Sequence, residues 1–226
     1  MKVVILAAGF GSRFGDRNLP KPLTELSNSR SILELQIDRL STVFSFDDII
    51  LVVGYHKEEI IDRFPDFLFV YNNNFANENT SKSLLRAVNK IDDDLLWLNG
   101  DVVFHPNVLK AILEAQSSAM IVNKGPVGDE EVKYRTKNGG RIIEVSKKVE
   151  KPEGEALGIN LCLKKDLPLF RKKLQLCKPQ DYFERALEMA IYDGMDVQSV
   201  VVEDSQCVEI DFEEDLTKAN KLLASW

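Results

Sequence analysis

The stretch from residue 1 to residue 22 constrains the fold more than any other part of the chain. An apolar run over residues 3–8 predicts a buried strand, and this strand leads into a loop with glycine at positions 9, 11 and 15. Glycine accepts positive φ and lets a ligand approach the backbone closely, so successive N–H groups can point at phosphate oxygens. Arg13 and Lys21 add positive charge. The stretch therefore predicts a strand that ends in an anion-binding loop.

Two common phosphate-binding loops do not fit this stretch. A P-loop needs a lysine directly after its last glycine, whereas Asp16 follows Gly15. The dinucleotide fingerprint G-x-G-x-x-G opens a helix, but here the third glycine comes one residue late and Pro20 and Pro22 oppose a helix. Neither loop fits, so the stretch indicates a phosphate-binding loop of another kind, with a plain surface turn as the alternative.

Composition narrows the class of partner. A net charge of −7 and a pI near 5.1 argue against nucleic acid as the ligand, because nucleic-acid binders carry a basic footprint. No apolar stretch approaches the roughly 18 residues that a membrane span requires. The chain also leads straight into its first strand and leaves no room for a signal peptide. We therefore expect a cytoplasmic protein, with residues 1–226 in a single domain and no membrane partner.

Apolar strands and helices alternate through the first half of the chain. Apolar runs at 49–53, 67–70 and 95–98 follow the first strand, and helical patterns separate them, one of them capped by Ser31. This alternation predicts an α/β fold: a doubly wound, mostly parallel, Rossmann-like sheet with helices on both faces. Asn138-Gly139 predicts a hairpin, so residues 125–160 form a small antiparallel excursion in the second half. Further helices are expected at 166–176, 180–191 and 213–223, and a strand at 197–202.

The first loop resembles a known signature. Leu6-Ala7-Ala8-Gly9-x-Gly11-Ser12-Arg13, followed by Pro20-Lys21-Pro22-Leu23, is similar to the nucleotidyltransferases that join an NTP to a phosphorylated small molecule and release pyrophosphate. The resemblance implies that Arg13 and Lys21 contact phosphates and act in catalysis. It also implies nucleotide binding by the residues of the loop, which are Leu6, Ala7, Ala8, Gly9, Gly11 and Ser12.

Acidic residues follow two of the predicted extended segments. Asn99-Gly100-Asp101 comes directly after the strand at 95–98, at the edge where open α/β sheets bind ligands, and Asp101 suits Mg²⁺. A helix cap is the alternative for Asp101. In Glu209-Ile210-Asp211, alternation places both carboxylates on one face, although a solvated strand would look the same. The resemblance implies Mg²⁺ as cofactor, with Asp101 and Asp211 as ligands, Glu209 in support and Gly100 at the nucleotide.

A polar loop before the helix near residue 81 is a candidate for reading the base. Residues 72–81 are rich in amides, which offer donors and acceptors together. Their position resembles the base-reading segment of the family, which implies nucleotide contacts for Asn79, Thr80 and Ser81. With the segments 53–58 and 209–216, this loop is most similar to the phosphocholine-type cytidylyltransferases, so the expected nucleotide is CTP.

The acceptor side shows features of two substrate types. Ser146-Lys147 resembles the phosphocholine-type enzymes, whereas Glu150-Lys151-Pro152 resembles the sugar-1-phosphate enzymes, so Lys147 and Lys151 are both candidates for the acceptor phosphate. A plain surface charge run is the alternative. A trimethylammonium group calls for an aromatic cage, but residues 130–134 offer only Tyr134. The acidic residues at 129–131 could instead receive an amine, and Arg135 a carboxylate.

The resemblance implies transfer of CMP from CTP to a small phosphorylated acceptor with release of pyrophosphate. The acceptor is expected to be a phosphocholine-like compound or another polar phosphomonoester, a precursor of a cell-surface polysaccharide or a phospholipid head group. The protein is expected to act as a monomer or homodimer. Sugar-1-phosphate nucleotidylyl transfer is one alternative, and a non-catalytic nucleotide-sensing domain is another.

Overall fold

The structure is a computed structural model that describes residues 1–11 and 19–226. The strands are β1 (Lys2–Ala7), β2 (Ile49–Val53), β3 (Leu68–Tyr71), β4 (Leu95–Asn99), β5 (Val102–Phe104), β6 (Ser118–Val122), β7 (Lys133–Lys137), β8 (Arg141–Ser146), β9 (Gly154–Cys162), β10 (Val197–Val201) and β11 (Cys207–Glu209). The helices are α1 (Ile32–Leu40), α2 (Lys57–Arg63), α3 (Thr80–Val88), α4 (Pro106–Leu113), α5 (Leu167–Leu176), α6 (Phe183–Tyr192) and α7 (Glu213–Leu223).

The described strands form one large mixed sheet and a small ladder. The large sheet has the order β3-β2-β1-β4-β9-β6-β10-β8-β7, and β11 pairs with β5 in the ladder. Strands β3, β2, β1 and β4 run parallel to one another, as the sequence predicts. Strand β9 lies antiparallel to both β4 and β6, and β7 and β8 form the predicted antiparallel hairpin. The expectation of a mostly parallel sheet therefore holds for the first half of the chain, and the sheet as a whole is mixed.

Helices cover both faces of this sheet, as predicted. Successive residues of β1 alternate between the faces: Val4 and Leu6 pack in one apolar cluster, and Val3 and Ile5 pack in another. The first cluster also contains buried residues of α3, α5 and α6. The second contains residues of α1, α2 and α4. Burial on both sides fixes the register of β1, and so fixes where the loop after it leaves the sheet.

Local signals account for the elements that the sequence predicted well. Ser31 caps α1 in a reciprocal capping box with Glu34. Asn138 and Gly139 both have positive φ in the turn between β7 and β8, as a tight hairpin requires.

Four elements were not predicted: β5, β6, β9 and α4. Strand β9 contains glycine and asparagine at central positions, and both residue types are uncommon in strands. Helix α4 begins at Pro106 and is capped by His105, whose Nδ1 accepts a hydrogen bond from the Asn107 N–H; histidine is not a typical capping residue. Strand β9 therefore depends on tertiary packing, whereas β5, β6 and α4 are short segments whose apolar pattern could have indicated them.

None of the helices in the described part of the chain has the length and apolar character that crossing a lipid bilayer requires.

Candidate active site

A cleft of about 630 Å³ lies at the carboxyl edge of the parallel strands. Its wall includes the end of β1, the loop after β4 and the segment after β11, so three separate parts of the sequence meet there. Ligand sites of open α/β sheets occur at this edge because the strands end there and the loops diverge. The predicted site residues that line the cleft are Leu6, Ala7, Gly9, Gly11, Lys21, Asn79, Thr80, Gly100, Asp101, Lys147, Glu209 and Asp211.

Some predicted residues lie elsewhere. Ala8 is buried, and its carbonyl accepts a hydrogen bond from the Tyr55 N–H at 3.1 Å. Ser81 is fully buried behind the start of α3. Lys151 is exposed and does not line the cleft, so Lys147 is the predicted acceptor lysine that the structure brings to it. Ser12 and Arg13 fall outside the described residues, and their predicted roles stay predictions.

Close backbone packing holds the two loops that carry the site. Gly11 has a φ of +64°, and a Cβ at this position would lie 2.8 Å from the Lys21 Cβ. The Gly100 N–H donates to the Leu6 carbonyl at 3.0 Å, and a Cβ on Gly100 would lie 2.7 Å from that oxygen. Only glycine fits at these positions, so the loop after β4 rests directly on the end of β1.

The ammonium of Lys21 lies between two carboxylates. Its Nζ is 2.7 Å from Asp101 Oδ2 and 2.7 Å from Asp211 Oδ1. The lysine side chain is only 9% exposed. Burial alone would lower the pKa of Lys21, but Asp101 and Asp211 together hold that pKa above its usual value. The lysine therefore carries a positive charge in the cleft at all physiological pH values.

The segment after β11 fixes the position of Asp211. The Ile210 N–H donates to the Asp101 carbonyl at 3.0 Å, which ties this segment to the loop after β4. The carboxylate of Asp215, at the start of α7, accepts from the N–H groups of Asp211 and Phe212. Because Ile210 is buried in an apolar cluster, Glu209 and Asp211 both face the cleft, as the alternation predicts.

Glu209 lies deeper in the cleft. Its Oε1 accepts a hydrogen bond from Asn99 Nδ2 at 3.0 Å. Gly158 of β9 makes room for it: this glycine has a φ of +65°, and a Cβ there would lie 2.1 Å from Glu209 Oε1. Burial first, and then the nearby charge of Asp101, raise the pKa of Glu209 well above its usual value. Glu209, Asp101 and Asp211 therefore lie close together in the cleft, and an added cation would reduce the repulsion between them.

The fit of Mg²⁺ rests on Asp101 and Asp211. Their two negative charges meet the single positive charge of Lys21, and Asp101 Oδ1 is buried with no hydrogen-bond partner among the described residues. Two carboxylates suffice for Mg²⁺ when phosphate oxygens supply further ligands. No group of three or more His, Cys, Asp or Glu within residues 1–11 and 19–226 is arranged to hold a metal ion, so the supporting role of Glu209 stays a prediction.

The start of α3 lies on another wall of the cleft. Asn79 caps this helix, and its Oδ1 accepts from the Thr80 N–H at 2.8 Å. The Asn79 N–H donates to the carbonyl of Pro179, and Thr80 Oγ1 accepts from the Phe183 N–H. These bonds lock the start of α3 to the start of α6. Asn79 and Thr80 are therefore held in place on this wall, and their predicted contact with the nucleotide stays a prediction.

A further wall of the cleft includes Glu130, Glu131, Lys147, Glu155, Tyr182 and Glu184, and we name it the acceptor wall after the predicted role of Lys147. It contains residues that were not predicted from the sequence. The ammonium of Lys147 lies 3.1 Å from Glu130 Oε2 and 5.3 Å from the centre of the Tyr182 ring. Glu155, from β9, and Glu184, from α6, also line the cleft. Glu155 lies in a strand that was not predicted, and Glu184 lies in a predicted helix, so no sequence signal marks either glutamate as a site residue.

Comparison with known proteins identifies relatives of the chain. The MobA-like NTP transferase domain matches residues 3–148. The Bifunctional protein GlmU of Methanocaldococcus jannaschii is 29% identical over 196 residues, which cover 84% of this chain and 46% of that protein. The CMP-5'-(3-aminopropyl)phosphonate synthase of Streptomyces rubellomurinus is 31% identical over 135 residues, covering 56% of this chain and 21% of that protein.

A third relative has nearly the same length as this chain. The UTP–glucose-1-phosphate uridylyltransferase AglF of Haloferax volcanii is 26% identical over 239 residues, covering 99% of this chain and 96% of that protein. The chain spans less than half the length of the other two relatives.

Solved structures share the fold. The inositol-1-phosphate CTP transferase from T. maritima superposes with a TM-score of 0.82 at 20% identity, covering 99% of this chain and 94% of that one. The CTP:phosphocholine cytidylyltransferase of Streptococcus pneumoniae gives 0.79 at 20% identity, covering 98% of each chain. The chain therefore has the α/β nucleotidyltransferase fold with a mixed sheet.

Proposed function

The chain belongs to the MobA-like NTP transferase family, and we propose that it transfers CMP from CTP to a small phosphorylated acceptor. The observation that carries this proposal is the Lys21 ammonium, which Asp101 and Asp211 hold beside the glycine loop. A plain binding loop does not require a buried lysine held by two carboxylates. A nucleotidyl transfer site does, because negative charge must be gathered and neutralised at the reacting phosphorus.

In the proposed reaction, an oxygen of the acceptor phosphate attacks the α-phosphorus of CTP. A new P–O bond forms there while the bond to the bridging oxygen of the β-phosphate breaks, and pyrophosphate leaves with the electron pair. The protein forms no covalent bond in this step, so it acts by positioning and by charge. Lys21 stabilises the negative charge that develops on the phosphoryl oxygens, and its raised pKa keeps it protonated for that role.

Mg²⁺ is the proposed cofactor, held by Asp101 and Asp211 with Glu209 in support. When bound, it would act as a Lewis acid that draws negative charge away from the triphosphate. With Lys21 alone, the pair of aspartates keeps an excess of negative charge that opposes a triphosphate. A bound divalent cation makes the net charge of this group positive, and this change is the main argument for Mg²⁺.

Polar groups on the cleft wall and the names of similar proteins both support CTP as the nucleotide. Asn79 and Thr80 place amide and hydroxyl groups on the wall where the base is expected, and such groups can pair with the edge of cytosine. The names of the Streptomyces relative and of both solved structures refer to CMP or CTP. Uridylyl transfer to a sugar-1-phosphate is the second candidate, because AglF matches nearly the whole chain.

Release of pyrophosphate tests the proposal. The protein is incubated with Mg²⁺ and each NTP in turn, with and without a panel of phosphomonoesters and sugar-1-phosphates, and pyrophosphate is followed over time. We expect release only when CTP and a phosphorylated acceptor are both present. Tight binding of nucleotide without pyrophosphate release from any pair would contradict an enzyme and favour a nucleotide-sensing domain.

A further inference from the structure

The charge of the cleft wall is strongly one-sided. Among the described residues that line it, the basic side chains are Lys21, Lys147 and Lys218, and acidic side chains outnumber them. Lys21 is committed to Asp101 and Asp211, and Lys147 contacts Glu130. No ion pair with a lysine or arginine of the described residues engages Glu131, Glu155 or Glu184, although Lys147 and Lys218 lie near enough to oppose the rise in the pKa of Glu184 and of Glu155, respectively. A neutral polyol acceptor would bring no positive charge to offset these carboxylates.

Glu184 is the most demanding of these carboxylates. Its side chain lies in the first turn of α6, lines the cleft and is only 9% exposed. Its Oε2 is buried and has no hydrogen-bond partner in the described part of the chain. Burial of a carboxylate oxygen without a donor is unfavourable, because the oxygen loses its hydrogen bonds to water and gains none in return. A ligand that brings a donor would supply the missing hydrogen bond.

Glu131, on the same wall, shares this condition, and Glu155, which has Asn123 as a hydrogen-bond partner, adds a further half-buried carboxyl group. Glu131 Oε2 is also buried without a hydrogen-bond partner among the described residues. Burial, and then the negative charge of Glu131, raise the pKa of Glu155 to about 7. For Glu184, burial raises the pKa to about 7 against the opposing effects of its own N–H and Lys147. All three carboxyl groups would gain from a cation in the cleft.

The chemistry of these groups selects the kind of cation. A primary ammonium has three N–H donors and can satisfy several carboxylate oxygens at once, whereas a trimethylammonium has none and relies on aromatic faces. The Tyr182 ring of this wall already faces the Lys147 ammonium. Trp97 is buried in the core and stacks on Phe170, so it is not available to the cleft. Phe10, Phe75, Phe183 and Phe212 also line the cleft, so the choice of a primary ammonium rests on the unpaired carboxylate oxygens of Glu184 and Glu131 and not on a lack of aromatic rings.

We propose that the acceptor is a short aminoalkyl phosphate whose primary ammonium binds Glu184, with Glu131 as a second carboxylate, while Lys147 binds its phosphate. This inference rests on the proposed nucleotidyl transfer and specifies the acceptor class. The Lys147 ammonium lies 5.3 Å from the ring centre of Tyr182, two residues before Glu184, and 3.1 Å from Glu130, next to Glu131 in the chain, so the two ends of the acceptor bind on the same wall. Neighbouring sites of this kind suit a short chain between nitrogen and phosphate.

Two acceptors that differ only at the ammonium test the proposal. With CTP and Mg²⁺, we expect kcat/KM for 2-aminoethyl phosphate to exceed that for 2-hydroxyethyl phosphate at least tenfold. Glu184→Gln keeps the shape and removes the charge, so the ratio should fall at least fivefold. Glu131→Gln should lower it in the same direction. Glu188→Gln is the matched control, because Glu188 is on the same helix, pairs with Arg185 and does not line the cleft; its ratio should equal that of the unchanged protein.

Several outcomes would overturn the ammonium site while leaving nucleotidyl transfer in place. These are equal use of the two acceptors, a preference for phosphocholine or glucose-1-phosphate, or an effect of Glu184→Gln on the Mg²⁺ titration but not on the acceptor ratio. If no acceptor is turned over with any NTP, the proposed function fails, and calorimetry in the presence of CTP then decides the site. Binding of 2-aminoethyl phosphate that Glu184→Gln weakens would support it, and absence of binding would overturn it.

Discussion

The two walls of the cleft balance charge in opposite ways. On the wall at the ends of β1, β4 and β11, Lys21 binds both Asp101 and Asp211 within the protein. On the acceptor wall, Glu184 and Glu131 have carboxylate oxygens without hydrogen-bond partners among the residues described. In the first wall a lysine of the protein offsets the carboxylates, although Asp101 Oδ1 still lacks a described partner, whereas in the second wall no described donor reaches these oxygens. The difference is consistent with the proposal that the first wall serves the phosphate chemistry and the second receives the acceptor.

The largest effect is expected from breaking the first wall at Asp101. In Asp101→Asn the amide keeps the shape and loses the charge, so turnover that depends on Mg²⁺ should be abolished and metal-assisted CTP binding weakened. A titration of activity and CTP affinity against Mg²⁺ measures both. Asp92→Asn, which removes an exposed carboxylate paired with Lys164, is the control and should behave as the unchanged protein. An unaltered titration in Asp101→Asn would show that the ligand assignment is wrong.

Removing the cation of the first wall should come next in size. We expect Lys21→Ala to lower kcat at least a hundredfold, because a preorganised positive charge at a developing negative charge contributes about 3 kcal/mol to the barrier. Lys164→Ala removes an exposed, ion-paired lysine and serves as control. Steady-state kinetics with circular dichroism separates catalysis from folding. Activity of a folded Lys21→Ala within a few-fold of the unchanged protein would exclude Lys21 from the mechanism.

Glu184 of the acceptor wall should make the free energy of unfolding depend on pH. Burial raises the pKa of Glu184 from 4.5 to about 7, so the folded protein binds this proton more tightly than the unfolded chain does. The free energy of unfolding should therefore fall as pH rises from about 4.5 to about 7, by on the order of 2 kcal/mol from Glu184 alone. Denaturant unfolding across this range should show a flatter profile for Glu184→Gln. Identical slopes for the two proteins would contradict an unpaired, buried Glu184.

A smaller effect separates the packing around Glu209 from backbone strain. Gly158→Ala places a Cβ 2.1 Å from Glu209 Oε1 and 2.8 Å from Asn99 Nδ2, so both partners of that hydrogen bond must move. Gly139→Ala is the matched control, because Gly139 also has positive φ but has no atom within 4 Å of the added Cβ. Both changes carry the strain of about 1–2 kcal/mol for a left-handed residue. Chemical denaturation should show a larger loss for Gly158→Ala, and equal losses would remove the steric role of Gly158.

The sequence predicted the first wall far better than the second. The strand before Gly9 and the strand before Asp101 are continuous apolar runs, and parallel strands bring their carboxyl ends to the same edge, so Lys21 and Asp101 could be expected to meet. The predicted nucleotidyltransferase family is confirmed as well, because the family model matches residues 3–148 and so includes the loop residues on which the resemblance rests.

The second wall was predicted only in part: Lys147 and the acidic residues at 129–131 were candidates, whereas tertiary packing brings in Glu155 and Glu184. Glu155 faces the cleft only because β9 inserts between β4 and β6, and the central residues of β9 include glycine and asparagine. Glu184 reaches the cleft because α6 begins beside α3, where Phe183 donates to Thr80. The same contact accounts for the burial of Ser81, which sequence reasoning placed at the nucleotide.

Competition between CTP and UTP tests whether the protein is a cytidylyltransferase. We expect a higher kcat/KM for CTP, by roughly tenfold or more. A site that pairs with the 4-amino group of cytosine leaves buried polar groups unpaired with uracil, and each unpaired group costs about 1–3 kcal/mol. With both nucleotides at equal concentration and a saturating acceptor, the ratio of the two products gives the preference without further assumptions. Equal use of the two, or a preference for UTP, would contradict cytidylyl transfer and favour the sugar-1-phosphate alternative.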